Sequence, residues 1–185
     1  MIGCSWVRDM DWIETERLVL RAPRLNDVQA IFDRYASDPE VTRYLAWSRH
    51  RSLAETRAFV KFSNDLWARW SAGPMVAISR DDGTLLGGSG LMIETPDHAS
   101  TGYVFARDAW GKGYATECLR AMLDVAVKAG VQRVTAECHA GHAASRRVLD
   151  KCGFQQEPTT RQMVFPNLSS EPQDVLLFSR SVRER

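Results

Sequence analysis

Gly111 and Gly113, with Lys112 between them, stand where strand character gives way to helical character, a junction at which backbone chemistry can hold an anion. N–H groups at a helix start have no partner inside the helix, and the helix dipole adds positive potential at the same point. Glycine keeps side-chain bulk out of such a nest. On spacing alone two readings stay open, a phosphate cradle and an ordinary tight turn from strand to helix. The nucleoside-triphosphate loop is excluded, because it needs four residues between its first glycine and Gly-Lys-Ser/Thr, whereas Lys112 is followed by Gly113. A second cluster, Gly87-Gly88-Ser89-Gly90, has neither a lysine-serine pair nor dinucleotide spacing. It reads as glycine easing a close contact inside a strand.

Other chemistry is less well supplied. Cys4, Cys118, Cys138 and Cys152 form no C-x-x-C pair, so they read as free thiols packed as small apolar groups, not as a zinc site or disulfide framework. His50, His98 and His139 lie at no metal-ligand spacing, and no metal is expected.

The elements that position the glycine loop follow from periodicity. A lead-in over residues 1–12 has no periodicity and reads as loosely held, and residues 13–185 form a single domain. Thr15 to Ala22 reads as a strand with one apolar face. Leu25, Val28, Ile31, Phe32 and Tyr35 then repeat at helical spacing behind Asn26 or Asp27 as cap. Asp38-Pro39 opens a short helical turn, and Ser52 with Glu55 is a capping-box signature for a long helix ending near Gly73-Pro74. Met75 to Ser79 and Thr84 to Ile93 are strands joined by Asp81-Asp82-Gly83, followed by a strand from Thr101 to Ala106. After the loop come a helix from about Gly113 to Ala129, a strand from Val131 to His139, a helix from Ala143 to Lys151, and strands at Phe154 to Glu157 and Asp174 to Ser181. The order is mixed α+β: an antiparallel meander, then a strand-helix-strand crossover.

Bulk properties narrow the function. A hydrophobic fraction of 44% and a charged fraction of 25% match ordinary globular proteins and exclude disorder or coiled coil. With 24 basic and 23 acidic residues the net charge is +1, which supplies no field for nucleic acid or an anionic membrane. Apolar runs such as Val175-Leu176-Leu177-Phe178 are far shorter than the about 20 residues that span a bilayer. Met1 to Arg17 carries too many charges for a secretory signal, and the cytoplasm is the expected compartment.

The run Gly102-Tyr103-Val104-Phe105-Ala106-Arg107-Asp108-Ala109-Trp110-Gly111-Lys112-Gly113-Tyr114-Ala115-Thr116-Glu117 closely resembles the strand-loop-helix signature of GNAT N-acetyltransferases, in particular the ribosomal-protein alanine N-acetyltransferase branch. Three further segments agree in order and spacing: Thr15-Glu16-Arg17-Leu18-Val19-Leu20-Arg21, Ala136-Glu137-Cys138, and Ala144-Ser145-Arg146-Arg147-Val148-Leu149-Asp150-Lys151-Cys152-Gly153-Phe154. The resemblance implies the GNAT fold, with about seven mostly antiparallel strands, a splayed central parallel pair and flanking helices. It implies acetyl-CoA as co-substrate, its pyrophosphate held by backbone donors of Trp110, Gly111, Lys112, Gly113, Tyr114, Ala115 and Thr116. Tyr103, Val104 and Phe105 would line the pantetheine arm through main-chain bonds, with Phe105 nearest the acetyl group. Trp110 stands where the family usually has Gln or Arg, and His142 where it usually has Asn bonding the pantetheine.

In the same resemblance Glu137 aligns with a strand glutamate that acts as base, and Ser145 with a serine near the CoA sulfur. Their bland readings are a strand carboxylate in a salt bridge and a helix-start serine serving the backbone. The tyrosine acid of other members would fall at Leu149, which has no proton to give. Trp47, Trp67, Trp70, Phe59 and Phe62 are candidates either for an acceptor roof or for the core. The activity implied is acetyl transfer to a primary amine, a protein N-terminus or a small molecule, with a homodimer left open. Two alternatives stand beside it: a non-catalytic acyl-CoA binding or sensing module, and a nucleotide-binding domain without CoA preference.

Overall fold

The computed structural model describes residues 12–70 and 72–182, with the side chain of Trp70 outside that description. Its strands are β1 (Trp12–Glu14), β2 (Leu18–Arg21), β3 (Pro74–Ser79), β4 (Leu85–Thr95), β5 (His98–Phe105), β6 (Arg133–His139), β7 (Gln155–Val164) and β8 (Pro172–Ser181). Its helices are α1 (Val28–Ile31), α2 (Pro39–Thr42), α3 (Leu53–Trp70), α4 (Tyr114–Lys128) and α5 (Ala143–Lys151). The strands form one sheet in the order β1-β2-β3-β4-β5-β6-β8-β7, antiparallel except for β5 beside β6.

Two layers of side chains flank this sheet. On the back, Cys118, Leu119, Met122 and Ala126 of α4 pack with Leu149 of α5 against Leu20, Ala99, Phe105, Val134 and Ala136. On the front, Val28, Ile31, Tyr35 and Val60 from the α1 to α3 region cover Val76 and Leu85, with Val104 at the edge of the cluster. Alternation along β6 therefore sends Val134, Ala136 and Cys138 backward and Glu137 forward.

Helix starts follow their capping chemistry. Asp38 Oδ1 accepts from the amides of Glu40 and Val41 ahead of Pro39, and the Glu55 amide donates to Ser52 Oγ. The expected helix after Asn26 is a 3-10 turn, α1 and a π-turn in succession.

Three expectations need correction. Eight strands stand where about seven were expected, because Trp12–Glu14 forms a strand of its own ahead of the expected one, of which Leu18–Arg21 is strand. The Thr15 hydroxyl and amide bond to Leu18, closing a turn that pairs β1 against β2, so the fold already includes Trp12. Residues 1–11 of the expected lead-in lie outside the described residues. The strand expected to stop at Glu157 runs on to Val164, since as the edge of the sheet it exposes most side chains on both faces and shows no alternation.

The Gly87 to Gly90 cluster is a site of close approach. A Cβ at Gly87 would overlap the Val104 carbonyl oxygen, and one at Gly88 would lie 2.6 Å from the Met75 oxygen. The central feature for function is the parallel pair. β5 and β6 are in register only at His98↔Arg133, Ala99↔Val134 and Ser100↔Thr135. Beyond these, β5 continues to Phe105 and β6 to His139 with no ladder between them, which leaves a wedge-shaped gap open toward the strand ends. Among the described residues no helix is long and apolar enough to cross a membrane.

Candidate active site

At the mouth of the gap, β5 gives way to a 3-10 turn over Arg107–Ala109, then the glycine loop, then α4. Gly111 and Gly113 have φ of 74° and 84°, in the left-handed region that side-chain-bearing residues avoid. The Trp110 amide donates to Arg107 O and the Glu117 amide to Gly113 O. Between these two bonds, the amides of Gly111, Lys112, Gly113, Tyr114, Ala115 and Thr116 have no acceptor among the described residues. Residues 110–113 are exposed and 114–116 half-buried, so the open donors are accessible. Buried or self-satisfied amides would have excluded an anion cradle; open ones fit a diphosphate.

The loop is braced from the first hairpin. Glu117 accepts from Thr15 Oγ1 (2.6 Å), the Arg17 amide (2.7 Å) and Arg17 Nε (2.7 Å). Arg17 Nη1 in turn donates to the Lys112 carbonyl at 2.9 Å, and its guanidinium lies 4.6 Å from the Tyr114 ring centroid. Fixing that carbonyl fixes the Lys112–Gly113 peptide plane. Burial alone would raise the Glu117 carboxyl, but the bonds from Thr15 and Arg17 outweigh it and hold the group below its usual range. A depressed folded value means that the carboxylate stabilises the fold at neutral pH and that this contribution disappears as acid protonates the group. Glu117→Gln is therefore expected to cost about 1–2 kcal/mol at neutral pH, roughly 3–6 °C in melting temperature. The deficit should shrink toward zero on acidification, as read by thermal melts of both proteins across pH.

Main-chain direction in β5 decides what faces the gap. The Ala106 amide donates to Leu86 O, and Phe105 sits opposite Gly87, which makes Phe105 a residue whose own N–H and C=O point away from β4. By the same alternation those of Tyr103 also point into the gap. Val104 does not match its expected role: its main chain turns toward β4 and its side chain packs on the front layer. Phe105 presents only backbone, because its ring is buried in the back core and Trp110 Nε1 donates to its carbonyl at 2.7 Å. Trp110 thus serves the strand end with its indole, leaving the loop amides as the donors.

The two expected reacting side chains flank the gap on opposite faces. Glu137 projects forward from β6, about one-third exposed, with Arg161 Nη1 3.0 Å from its carboxylate. Over the neighbouring stretch of β5, Gly102 faces open space, with nothing within 4 Å of a Cβ built there. Ser145 lies in the first turn of α5 on the back, where its Oγ is 2.9 Å from the Tyr103 hydroxyl. Leu149 is buried in the core, as its apolar character demands.

His142 precedes α5, and its ring stacks on Tyr44 at 4.8 Å; Tyr44 also meets His139 at 4.7 Å, with Phe165 edge-on to His139. Burial, with help from His139 and Arg147, holds the His142 imidazole below its usual range, so it is neutral near pH 7. Tyr44 and Phe165 were not singled out from sequence; single aromatics in irregular segments carry no periodic signal. Of the proposed roof, Phe59 packs near His50, Trp67 donates to Pro74 O, and Phe62 is exposed on α3. Trp47 lies over His50, and the Trp70 side chain falls outside the described residues.

The loop, the gap and the braced helix start together fit a long phosphate-bearing ligand lying between two parted strands. Residues 17–155 match the family described as acetyltransferase (GNAT) domain. This chain belongs to the GNAT family and is an acetyl-CoA-dependent acetyltransferase. Among relatives, an uncharacterized N-acetyltransferase, p20, from Bacillus licheniformis is 29% identical over 178 residues, covering 95% of this chain and 98% of its own. An acetyltransferase (GNAT family) structure from Bacillus anthracis is 25% identical with a TM-score of 0.79, covering 92% of this chain and 98% of that one. RimL, a ribosomal L7/L12 alpha-N-protein acetyltransferase in complex with coenzyme A, shares the fold with a TM-score of 0.82 at 22% identity, covering 92% and 98%.

Proposed function

We propose that this acetyltransferase moves the acetyl group of acetyl-CoA to a primary amine, a protein N-terminal α-amine or a small-molecule amine, by direct attack in a ternary complex. The observation that carries this reading is the gap between β5 and β6, which has open amides at its mouth and acidic and hydroxyl side chains on opposite faces. Acetyl-CoA supplies an activated thioester. The amides of Gly111 to Thr116 hold its diphosphate, and backbone groups of Tyr103 and Phe105 run beside its amide-rich arm as a strand would. An N–H there can also support negative charge developing on the acetyl oxygen. His142, neutral, offers one hydrogen bond in place of the family's asparagine.

The front face receives the acceptor, since Gly102 leaves space there and Glu137 stands beside it as base, directly or through water. An α-amine, titrating at about 7.7–8.0 against about 10.4 for lysine, asks less of that base. RimL, named for an alpha-N-protein activity, makes peptide N-termini the first acceptors to try. Incubation with acetyl-CoA and a panel of N-terminal peptides, lysine peptides and small amines, followed by release of free thiol, tests the reading. Rapid release with at least one α-amine supports it; tight CoA binding without release with any amine contradicts it.

A further inference from the structure

Behind the gap, one side chain ties β5 to α5. The Tyr103 hydroxyl oxygen lies 3.0 Å from the carbonyl oxygen of Ser145 and 2.9 Å from Ser145 Oγ. A carbonyl only accepts, whereas in the hydroxyl pair either oxygen can donate, so the single Tyr103 proton goes either to the carbonyl, with the tyrosine oxygen accepting from Ser145 Oγ–H, or to Ser145 Oγ, which leaves the serine's own proton free for a third group. Either arrangement fixes the serine. Ser145 stands in the first turn of α5, where a free serine hydroxyl tends to turn back onto a carbonyl of the preceding turn. Tyr103 holds it toward β5 instead.

We propose that Tyr103 is a positioning residue for acyl transfer, its hydroxyl donating to Ser145 Oγ so that the serine's own proton is free to meet the departing sulfur as a neutral hydrogen-bond donor. This rests on the acetyl-transfer reading above. As the amine nitrogen bonds to the acetyl carbon, the carbon–sulfur bond breaks and its electron pair leaves on sulfur. The amine's proton passes to Glu137 and on to solvent, and the sulfur, held meanwhile by Ser145, takes its proton from solvent. Neither hydroxyl is consumed. Burial pushes the Tyr103 hydroxyl well above its usual range, which keeps it a donor throughout.

Tyr103→Phe, Ser145→Ala and the double variant test this, with kcat and KM for acetyl-CoA read by thiol release and folding by thermal melts. In the Ser145 background, Tyr103→Phe should lower kcat about tenfold, the worth of one well-placed hydrogen bond, with KM for acetyl-CoA and melting temperature nearly unchanged. In the Ser145→Ala background the same change should cost nothing more, because the tyrosine acts only through the serine. An equal loss in both backgrounds, or a raised KM at full kcat, overturns the proposal. Full kcat in Ser145→Ala removes the serine and the tyrosine together but leaves acetyl transfer standing. A slow Ser145→Ala beside a fast Tyr103→Phe removes the tyrosine role alone.

Discussion

Gly111→Ala with Gly113→Ala lowers the affinity for CoA by about a hundredfold, with little change in melting temperature. Both residues lie in left-handed backbone; the space around a Cβ at Gly111 is open, and one at Gly113 meets only the end of the Arg17 side chain at 3.4 Å, an ordinary contact. The effect is therefore conformational and not steric. Each alanine disfavours that conformation by about 1–2 kcal/mol, and an exposed loop relaxes out of it. Binding must then drive the loop back, so the strain appears as lost affinity, roughly tenfold for each 1.4 kcal/mol. Gly130→Ala is the control: its φ of 77° is equally left-handed, but it follows the far end of α4. That variant should lose stability and keep its CoA affinity. Isothermal titration of the variants with CoA, beside their thermal melts, separates the two outcomes.

Glu137→Gln slows acetyl transfer by about a hundredfold, the usual lower range for loss of a general base. The loss should fall in kcat and leave CoA affinity intact, because Glu137 faces the front while the glycine loop proposed to hold CoA lies at the start of α4. It should also be larger for a lysine side chain than for an α-amine, whose proton leaves more readily. Arg161 holds the carboxylate at 3.0 Å and orients it. An unchanged kcat for Glu137→Gln, with CoA still bound, removes Glu137 from the reaction.

Local signals were the legible ones. The loop glycines could be read because a left-handed turn at a helix start demands them, and α4 because Leu119, Met122 and Ala126 form a stripe at helical spacing. The resemblance carried the parted strands. What escaped were pairings that periodicity does not encode. Arg17 and Glu117 meet across a separation of 100 residues, and Tyr103 meets Ser145 across 42. The turn between β1 and β2 is closed by the amide and hydroxyl of one threonine, with neither glycine nor proline in it to announce it. The part of β7 beyond Glu157 lay hidden because an exposed edge strand has no buried face to impose alternation. Val104 and Phe105 show a further limit. Their neighbourhood to the gap was readable, but which of them turns its amide toward it depends on strand register, fixed only by pairing with β4.

The most direct measurement is an NMR titration of nitrogen-15-labelled protein with CoA, and separately with inorganic pyrophosphate, following the amides of Gly111 to Thr116. Both ligands should move these six resonances together, pyrophosphate at higher concentration, because the proposed cradle is one cluster of open N–H groups. CoA binding that leaves those amides where they were, and shifts another part of the chain, would contradict the account.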